Sequence, residues 1–585
     1  MIMKVIVFIL LYLICHIAIA QDFSYSRVGK SNYKELIDPN PAIDADWLKV
    51  NEQVNVSFAS SNTRFAKHSV PGISVTSTHH MTGWKGEKIH TQVLIWSKKN
   101  LPSVQLKVED LVGSKGQRID KKQLNASFIR YVMTDMFIPD CAKHRVNEYD
   151  SSLVADPIDL VTALSIEAQT VQPIWLSVQL PADIPADIYT GSIVIEADKK
   201  YSLTLSVNVL NHVLPDPSEW KFDLDLWQHP AAIARVHNTA IWSKEHFEIM
   251  KPYYQMLAKA GQKNITTSII HEPWNHQTYD DYPSLIRWIK KKDGTWLYDY
   301  SLFDQYVSLV MSCGIQKRIN CYTMIPWKLS FPYYDEALEK DTVLEAAPVS
   351  PEYRAFWTNM LTDFTQHLKS KGWFEITSIS IDERPLESMK AAFAVLKAVD
   401  PSWKITVAGD QYHQEIDEEV FEYSIASKWK FDESILKARK EQGKPRTFYT
   451  CCVEERPNGY TFSPPAENAW LGWYASANGF TGYLRWAFNS WTKEPLRDSR
   501  FTAFPAGDTY QVYPGPRTSI RFEKLIEGIQ DYEKIRILRV QFVNTGDCEK
   551  IKELDEILSA FKIQNLERTP ASDMISHAKK LLDNL

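Results

Sequence analysis

The hydrophobic period of the chain changes at Leu214-Pro215-Asp216-Pro217, and that change constrains the fold more than any other feature. Prolines so closely spaced cannot continue a central strand, so a domain boundary is expected there. Beyond it, short apolar stretches alternate with amphipathic ones. Strands are expected at 222–227, 264–270, 315–324, 375–382, 404–409, 424–429, 446–452 and 482–488. Helices are expected from a Ser243 cap to about 260, and at 302–313, 351–370, 385–399, 434–441 and 466–477. Strands alternating with helices in this number give an α/β class (β/α)8 TIM-like barrel, placed at 220–515. A doubly wound open sheet is the alternative, but it would bring a Gly-rich phosphate loop after an early strand, and none is visible.

Before the boundary the period is that of half-buried strands. Leu203, Leu205, Val207 and Val209 alternate with polar residues, as do Val104, Leu106 and Val108, and Pro185 to Gly191 reads as a turn. Repeated short strands with turn signals give an antiparallel β-sandwich domain at 21–215. From Ser519 the pattern is helical, with Ile520, Phe522, Leu525, Ile526 and Ile529 forming one apolar stripe, so a C-terminal helical segment is expected at 516–585. Arg521, Glu523, Asp531 and Glu533 on this segment are expected to form a structural ion-pair network.

The first twenty residues read as a secretory signal peptide: Lys4, an apolar run from Val5 to Ile14, and small residues around Ala18-Ile19-Ala20, with cleavage before Gln21. Ile14 stands where a lipoprotein would need a small residue before Cys15, which argues against a lipid anchor. No later run has the length and apolarity of a membrane span. A secreted location, periplasmic or exterior, follows as an expectation. The net charge of −6 is mixed along the chain, without the clustered Lys and Arg of a nucleic-acid partner. The remaining cysteines, Cys141, Cys313, Cys321, Cys451, Cys452 and Cys548, are too sparse for a disulfide scaffold, although one or two bridges suit an oxidising compartment. Cys and His show no zinc-ligand spacing, so no metal and no other cofactor is expected.

In a barrel of this kind the site lies at the carboxyl ends of the strands. The segment Ile376-Thr377-Ser378-Ile379-Ser380-Ile381 ends in Asp382-Glu383, and Pro385 opens the next helix. Other Asp-Glu pairs, at Asp335, Asp417, Asp432 and Asp555, lie in polar segments, where a solvated face is the ordinary reading. Two carboxylates ending a buried strand repel each other and lose hydration, which marks them as functional candidates. The bland alternative is a helix cap by Asp382 with Glu383 in the first turn. Adjacent residues on an extended backbone point in different directions, poor geometry for an acid and a nucleophile flanking one sugar ring. The pair suits substrate assistance, in which a 2-acetamido oxygen attacks its own anomeric carbon.

These residues, with Gly482 to Trp491, Pro505 to Tyr510, Ser519 to Glu523 and Glu527 to Glu533, resemble glycoside hydrolase family 123 over most of the chain. The resemblance implies a retaining, exo-acting β-N-acetylgalactosaminidase, with Asp382 polarising the acetamido group and Glu383 as general acid/base. It implies, as partner, an oligosaccharide or glycolipid glycan ending in N-acetylhexosamine. Another hexosamine specificity and a non-catalytic carbohydrate-binding protein are the rivals. Trp227, Tyr322, Tyr412 and Trp486, at or just past strand ends, and Asp508, in the loop after the eighth strand, are candidate sugar contacts. His271 and His413 are read as structural.

Overall fold

The computed structural model describes residues 33–41, 45–139, 141 and 145–585; the expected signal peptide lies outside them. Eight parallel strands form the barrel: β1 (Asp223–Leu226), β2 (Asn264–Ser268), β3 (Arg318–Tyr322), β4 (Thr377–Ile381), β5 (Lys404–Gly409), β6 (Glu422–Ala426), β7 (Arg446–Tyr449) and β8 (Gly482–Arg485). The sheet runs β1-β8-β7-β6-β5-β4-β3-β2. Its ends meet at a lone bridge between Leu224 and Gln262. Side-chain amides complete this seam in place of a ladder. Gln262 Oε1 accepts from the Leu226 N–H at 2.9 Å, and Gln228 Oε1 accepts from the Thr266 N–H at 2.8 Å. Each satisfies a backbone donor that would otherwise be orphaned in the interior.

The strands are apolar on their outer side and polar within. Leu224, Ile265, Ile319, Ile379, Ile405, Ile425 and Phe448 join the cluster that packs against the helices. The alternate positions meet across the barrel: Arg318 Nη2 lies 2.8 Å from Asp223 Oδ1, its Nη1 lies 3.5 Å from Glu422 Oε2, and Asn320 Nδ2 donates to Asp225 at 3.2 Å. Barrel interiors are usually filled by branched apolar side chains. Here burial instead pushes the Asp225 carboxyl up to about 6 and holds Glu422 above the ordinary carboxylate range. This explains why β6 starts two residues earlier than its apolar pattern indicates: Glu422, its first residue, is charged and faces inward.

Serine caps start three long helices, of which the sequence reading expected the one at Ser243. Ser243 Oγ accepts from the His246 N–H, Ser350 from Tyr353 and Ser519 from Phe522. Helix Ala466–Ala477 crosses helix Ile520–Thr545 at paired glycines, where a Cβ on Gly472 would stand 1.9 Å from the Gly528 carbonyl oxygen. No helix among the described residues is long and apolar enough to cross a membrane.

A further four-stranded sheet has no counterpart in the sequence reading. Its order is Trp296–Asp299, Arg287–Lys290, Ser330–Asp335, Lys340–Glu345, drawn from the segments after β2 and after β3. Trp288 stacks on Phe356 at 4.6 Å and anchors it.

The amino-terminal domain is a sandwich. One sheet runs Val54–Ala59, Lys88–Ser97, Thr170–Gln179, Leu124–Thr134, Ser152–Ile158; the main path of the other runs Thr78–Lys85, Lys200–Val213, Asp187–Glu196, Leu101–Val108, Ala163–Ile166. All pairs within these paths are antiparallel except Thr78–Lys85 with Lys200–Val213, which is parallel. The sandwich docks on the helix after the barrel through ion pairs: Arg521 with Asp156 at 2.9 Å, fully buried, and Glu523 with the half-buried Lys88 at 2.6 Å. Asp531 pairs instead with Lys579 at 3.2 Å, and Glu533 accepts the Lys221 and Phe222 N–H groups at 2.6 and 2.8 Å. These four residues therefore join helix Ile520–Thr545 to the sandwich, to the start of β1 and to helix Ala571–Leu582.

Candidate active site

The barrel opens at the carboxyl ends of its strands into a cavity of about 480 Å³, and the end of every strand, or the loop after it, supplies part of the wall. Room exists because the ends of β5 and β6 carry Ala408 and Ala426. Trp227 after β1 and Trp274 after β2 stack at 5.0 Å to form an aromatic side. Glu272 braces the loop carrying Trp274 by accepting the His276 N–H at 2.7 Å and the Tyr282 N–H.

Asp382 and Glu383 project from the end of β4. Asp382 Oδ2 accepts from Trp327 Nε1 at 3.0 Å, and Asp382 Oδ1 lies 2.9 Å from Arg384 Nη2, an ionic contact without hydrogen-bond alignment. The Arg384 guanidinium also lies 4.2 Å from the Trp327 ring centre and donates to the Ile325 carbonyl at 2.7 Å. One arginine thus fixes the loop after β3 against the first acid. Helix Leu386–Val399 is capped by Pro385 with no side-chain hydrogen bond, so Asp382 does not serve as its cap.

Glu383 has different surroundings. Burial raises its pKa, the charges of Asp382 and Asp410 raise it further, and the Tyr449 hydroxyl opposes them by donating to Oε1 at 2.5 Å. The hydroxyl itself is pushed far up, by burial and then by Glu383. One carboxyl is therefore paired with a cation, while its neighbour is biased toward the protonated form. Such divergence suits a division of acid and base roles.

The sequence candidates divide. Asp382, Glu383, Trp227 and Trp486 stand on the cavity wall. Tyr322 does not: it is buried beneath Trp227 and Trp274, with ring centres at 4.5 and 5.2 Å, because it faces inward one layer down. Tyr412 turns away and packs on Tyr423 and Phe431 at 5.2 and 5.3 Å. Asp508 lies behind the wall, wholly buried, with Arg485 Nη2 at 2.6 Å and Trp486 Nε1 at 3.0 Å occupying its carboxylate. Sequence reasoning missed Trp274, Trp327, Asp410 and Tyr449. Asp410 and Tyr449 had a usable signal: one directly follows β5, and the other is the last residue of β7, which the apolar pattern overran to 452. Trp274 and Trp327 lie in irregular loops that carry no period. Cys452, also on the wall, is disulfide-bonded to Cys141, tying the segment after the sandwich strand Leu124–Thr134 to the loop after β7.

Comparison with known proteins agrees with this geometry. Residues 227–538 match the family model described as glycoside hydrolase 123, catalytic domain, and residues 58–197 match the glycoside hydrolase 123 N-terminal domain. No curated protein sequence matches the chain. Among solved structures, a family 123 glycoside hydrolase from Clostridium perfringens, studied for glycolipid glycan hydrolysis, is 26% identical. It covers 91% of this chain and 97% of its own, with a TM-score of 0.81. A family 39 glycoside hydrolase from Bacteroides cellulosilyticus WH2 is 11% identical over 77% of this chain and 82% of its own, at a TM-score of 0.34 that carries no weight. With the catalytic-domain model spanning more than half its length, and the amino-terminal model matching the sandwich, the chain belongs to glycoside hydrolase family 123.

Proposed function

We propose that the protein is an exo-acting retaining glycosidase that removes terminal β-linked N-acetylgalactosamine from glycans, those of glycolipids included, by substrate-assisted catalysis. The observation that carries this reading is the contrast between adjacent acids on one wall: Asp382 beside Arg384 and Trp327, Glu383 desolvated and biased toward protonation. In the first step the acetamido oxygen of the substrate attacks the anomeric carbon, and Asp382 accepts the acetamido N–H. Glu383 gives its proton to the departing glycosidic oxygen. The product of this step is an oxazolinium ion, whose positive charge Asp382 stabilises. Water then opens the ring, Glu383 takes its proton, and the anomeric configuration is retained.

The cavity of about 480 Å³ supports action at a chain end, since it is small within the roughly 300–1,000 Å³ range of ligand pockets. The glycolipid assignment draws on the Clostridium perfringens relative. Export from the cytoplasm is part of the same reading. It is supported by the leader-like first twenty residues and by the Cys141–Cys452 disulfide, a bond that persists in oxidising compartments.

Asp410 gives a covalent alternative its candidate, because it is a third carboxylate on the cavity wall. The test separates the two. Substrate assistance predicts hydrolysis of aryl β-N-acetylgalactosaminides, inhibition by the corresponding thiazoline, and very poor cleavage of the 2-hydroxyl sugar. It also predicts no labelled carboxylate in mass spectra after treatment with a 2-fluoro glycoside. A trapped adduct on Asp410, or efficient turnover of the 2-hydroxyl sugar, would show that the enzyme carries its own nucleophile. Greater activity on the gluco epimer would overturn the sugar assignment alone.

A further inference from the structure

Behind the β8 side of the cavity lies a buried charged network that the reaction above does not use. Arg485, the last residue of β8, is 1% exposed, and Asp508 is 0% exposed. Arg485 Nη2 donates to Asp508 Oδ1 at 2.6 Å and its Nε to the Asp508 carbonyl at 3.3 Å. Its Nη1 donates to Asn458 Oδ1 at 2.8 Å and to Thr450 Oγ1 at 3.0 Å. Asn458 in turn donates to the Cys451 and Glu454 carbonyls at 2.9 and 2.8 Å. The other Asp508 oxygen accepts from Trp486 Nε1 at 3.0 Å. Trp486 is half-buried on the wall, and the Phe504 ring meets it at 63°, so that contact does not stack flat against the indole.

A carboxylate buried this completely is costly unless it is paired and hydrogen-bonded. Asp508 meets that condition through two unlike partners. Arg485 supplies the countercharge and is itself braced by two acceptors of the segment after β7, Thr450 and Asn458. Trp486 supplies one N–H, and in return its ring plane is fixed by a bond to an immobile acceptor. An indole on a mouth loop otherwise has two side-chain torsions free to vary, and freezing them before a ligand arrives removes an ordering cost from binding.

We infer that Asp508 is a positioning residue: clamped by Arg485, it holds the Trp486 ring as a flat platform for the apolar face of the sugar. The inference rests on the glycosidase reading of the cavity. It assigns Asp508 no contact with substrate and no proton transfer.

The experiment is a double-mutant cycle on the full chain, reading KM and kcat on an aryl β-N-acetylgalactosaminide and the affinity for free N-acetylgalactosamine by calorimetry. Trp486→Phe deletes the N–H but keeps a ring and leaves the Arg485–Asp508 pair intact. It raises KM roughly threefold to tenfold, the scale of one aromatic contact, with kcat within about twofold. Asp508→Asn gives a rise of the same kind, and in the Trp486→Ala background it adds nothing. A KM unchanged in Trp486→Phe, or Asp508→Asn and Trp486→Ala effects that simply multiply, would overturn the positioning role while leaving the glycosidase intact. If Asp508→Asn fails to fold, by circular dichroism, the Trp486→Phe arm decides alone. A wild-type protein that neither binds nor cleaves the sugar would remove the reading on which the inference rests, and the inference with it.

Discussion

The hydrogen bond from Tyr449 to Glu383 sets a measurable pH. In the proposed first step Glu383 is active when protonated, so the rate falls as pH rises through its pKa. Burial, Asp382 and Asp410 raise that pKa, while Arg384 and the Tyr449 hydroxyl lower it. Tyr449→Phe deletes a donor held at 2.5 Å from Oε1. A hydrogen bond to an ionised group contributes about 1.5–3 kcal/mol, and one pH unit corresponds to about 1.36 kcal/mol, which bounds the change at roughly one to two units. The neutral carboxyl also accepts from the hydroxyl through its carbonyl oxygen, so the differential falls at the lower end, about one unit. The alkaline limb of kcat/KM on a substrate with a poor leaving group therefore moves up by about one pH unit in Tyr449→Phe. The same limb disappears in Glu383→Gln, which assigns it. An alkaline limb that stays in place or moves down in Tyr449→Phe would refute this account of how Glu383 is tuned.

Glu383→Gln loses activity by orders of magnitude on substrates with poor leaving groups and much less on activated aryl glycosides, whose departing oxygen needs little protonation; equal loss on both would exclude Glu383 as the acid. Gly472→Ala drives a Cβ to 1.9 Å from the Gly528 carbonyl oxygen and is expected to destabilise by about 3 kcal/mol or more, read as a lower melting midpoint in scanning fluorimetry. Gly72→Ala, with nothing within 4 Å of its new Cβ, is the control and leaves the midpoint in place.

The barrel was legible because its strands are apolar on the side that faces the helices, and the Ser243 cap marked where one of those helices starts. The same reliance on apolar residues failed where charge points inward. Glu422 opened β6 with an inward charge, and the sequence reading shifted the strand toward Lys428. The barrel seam was invisible for a related reason: Gln228 and Gln262 act as surrogate backbone, a role that no period encodes. The small sheet was missed because its strands are short and pair segments that flank different barrel strands. It is held by contacts distant in sequence, such as Trp288 on Phe356, which no local period encodes.

The acids of the site were legible for a reason that does not extend to its other residues. Asp382 and Glu383 follow a buried strand directly, and a carboxylate pair there needs compensation that the adjoining Arg384 supplies on the spot. Asp508 has the same need, but its compensation comes from Arg485, 23 positions away, in the wall of the barrel. Sequence order places Asp508 in the loop that follows β8 and so suggests a hand reaching into the cavity; the guanidinium turns it the other way. Tyr322 and Tyr412 fail similarly, because a strand-end rule counts positions and does not fix direction. Tyr322 takes the inward side of β3 but sits one layer too deep, and Tyr412 lies past the end of β5, where the chain has turned outward. A residue next to the strand end is constrained by the strand's own alternation. Beyond two residues that constraint is lost, and only the partner, not the position, decides whether a side chain faces the sugar.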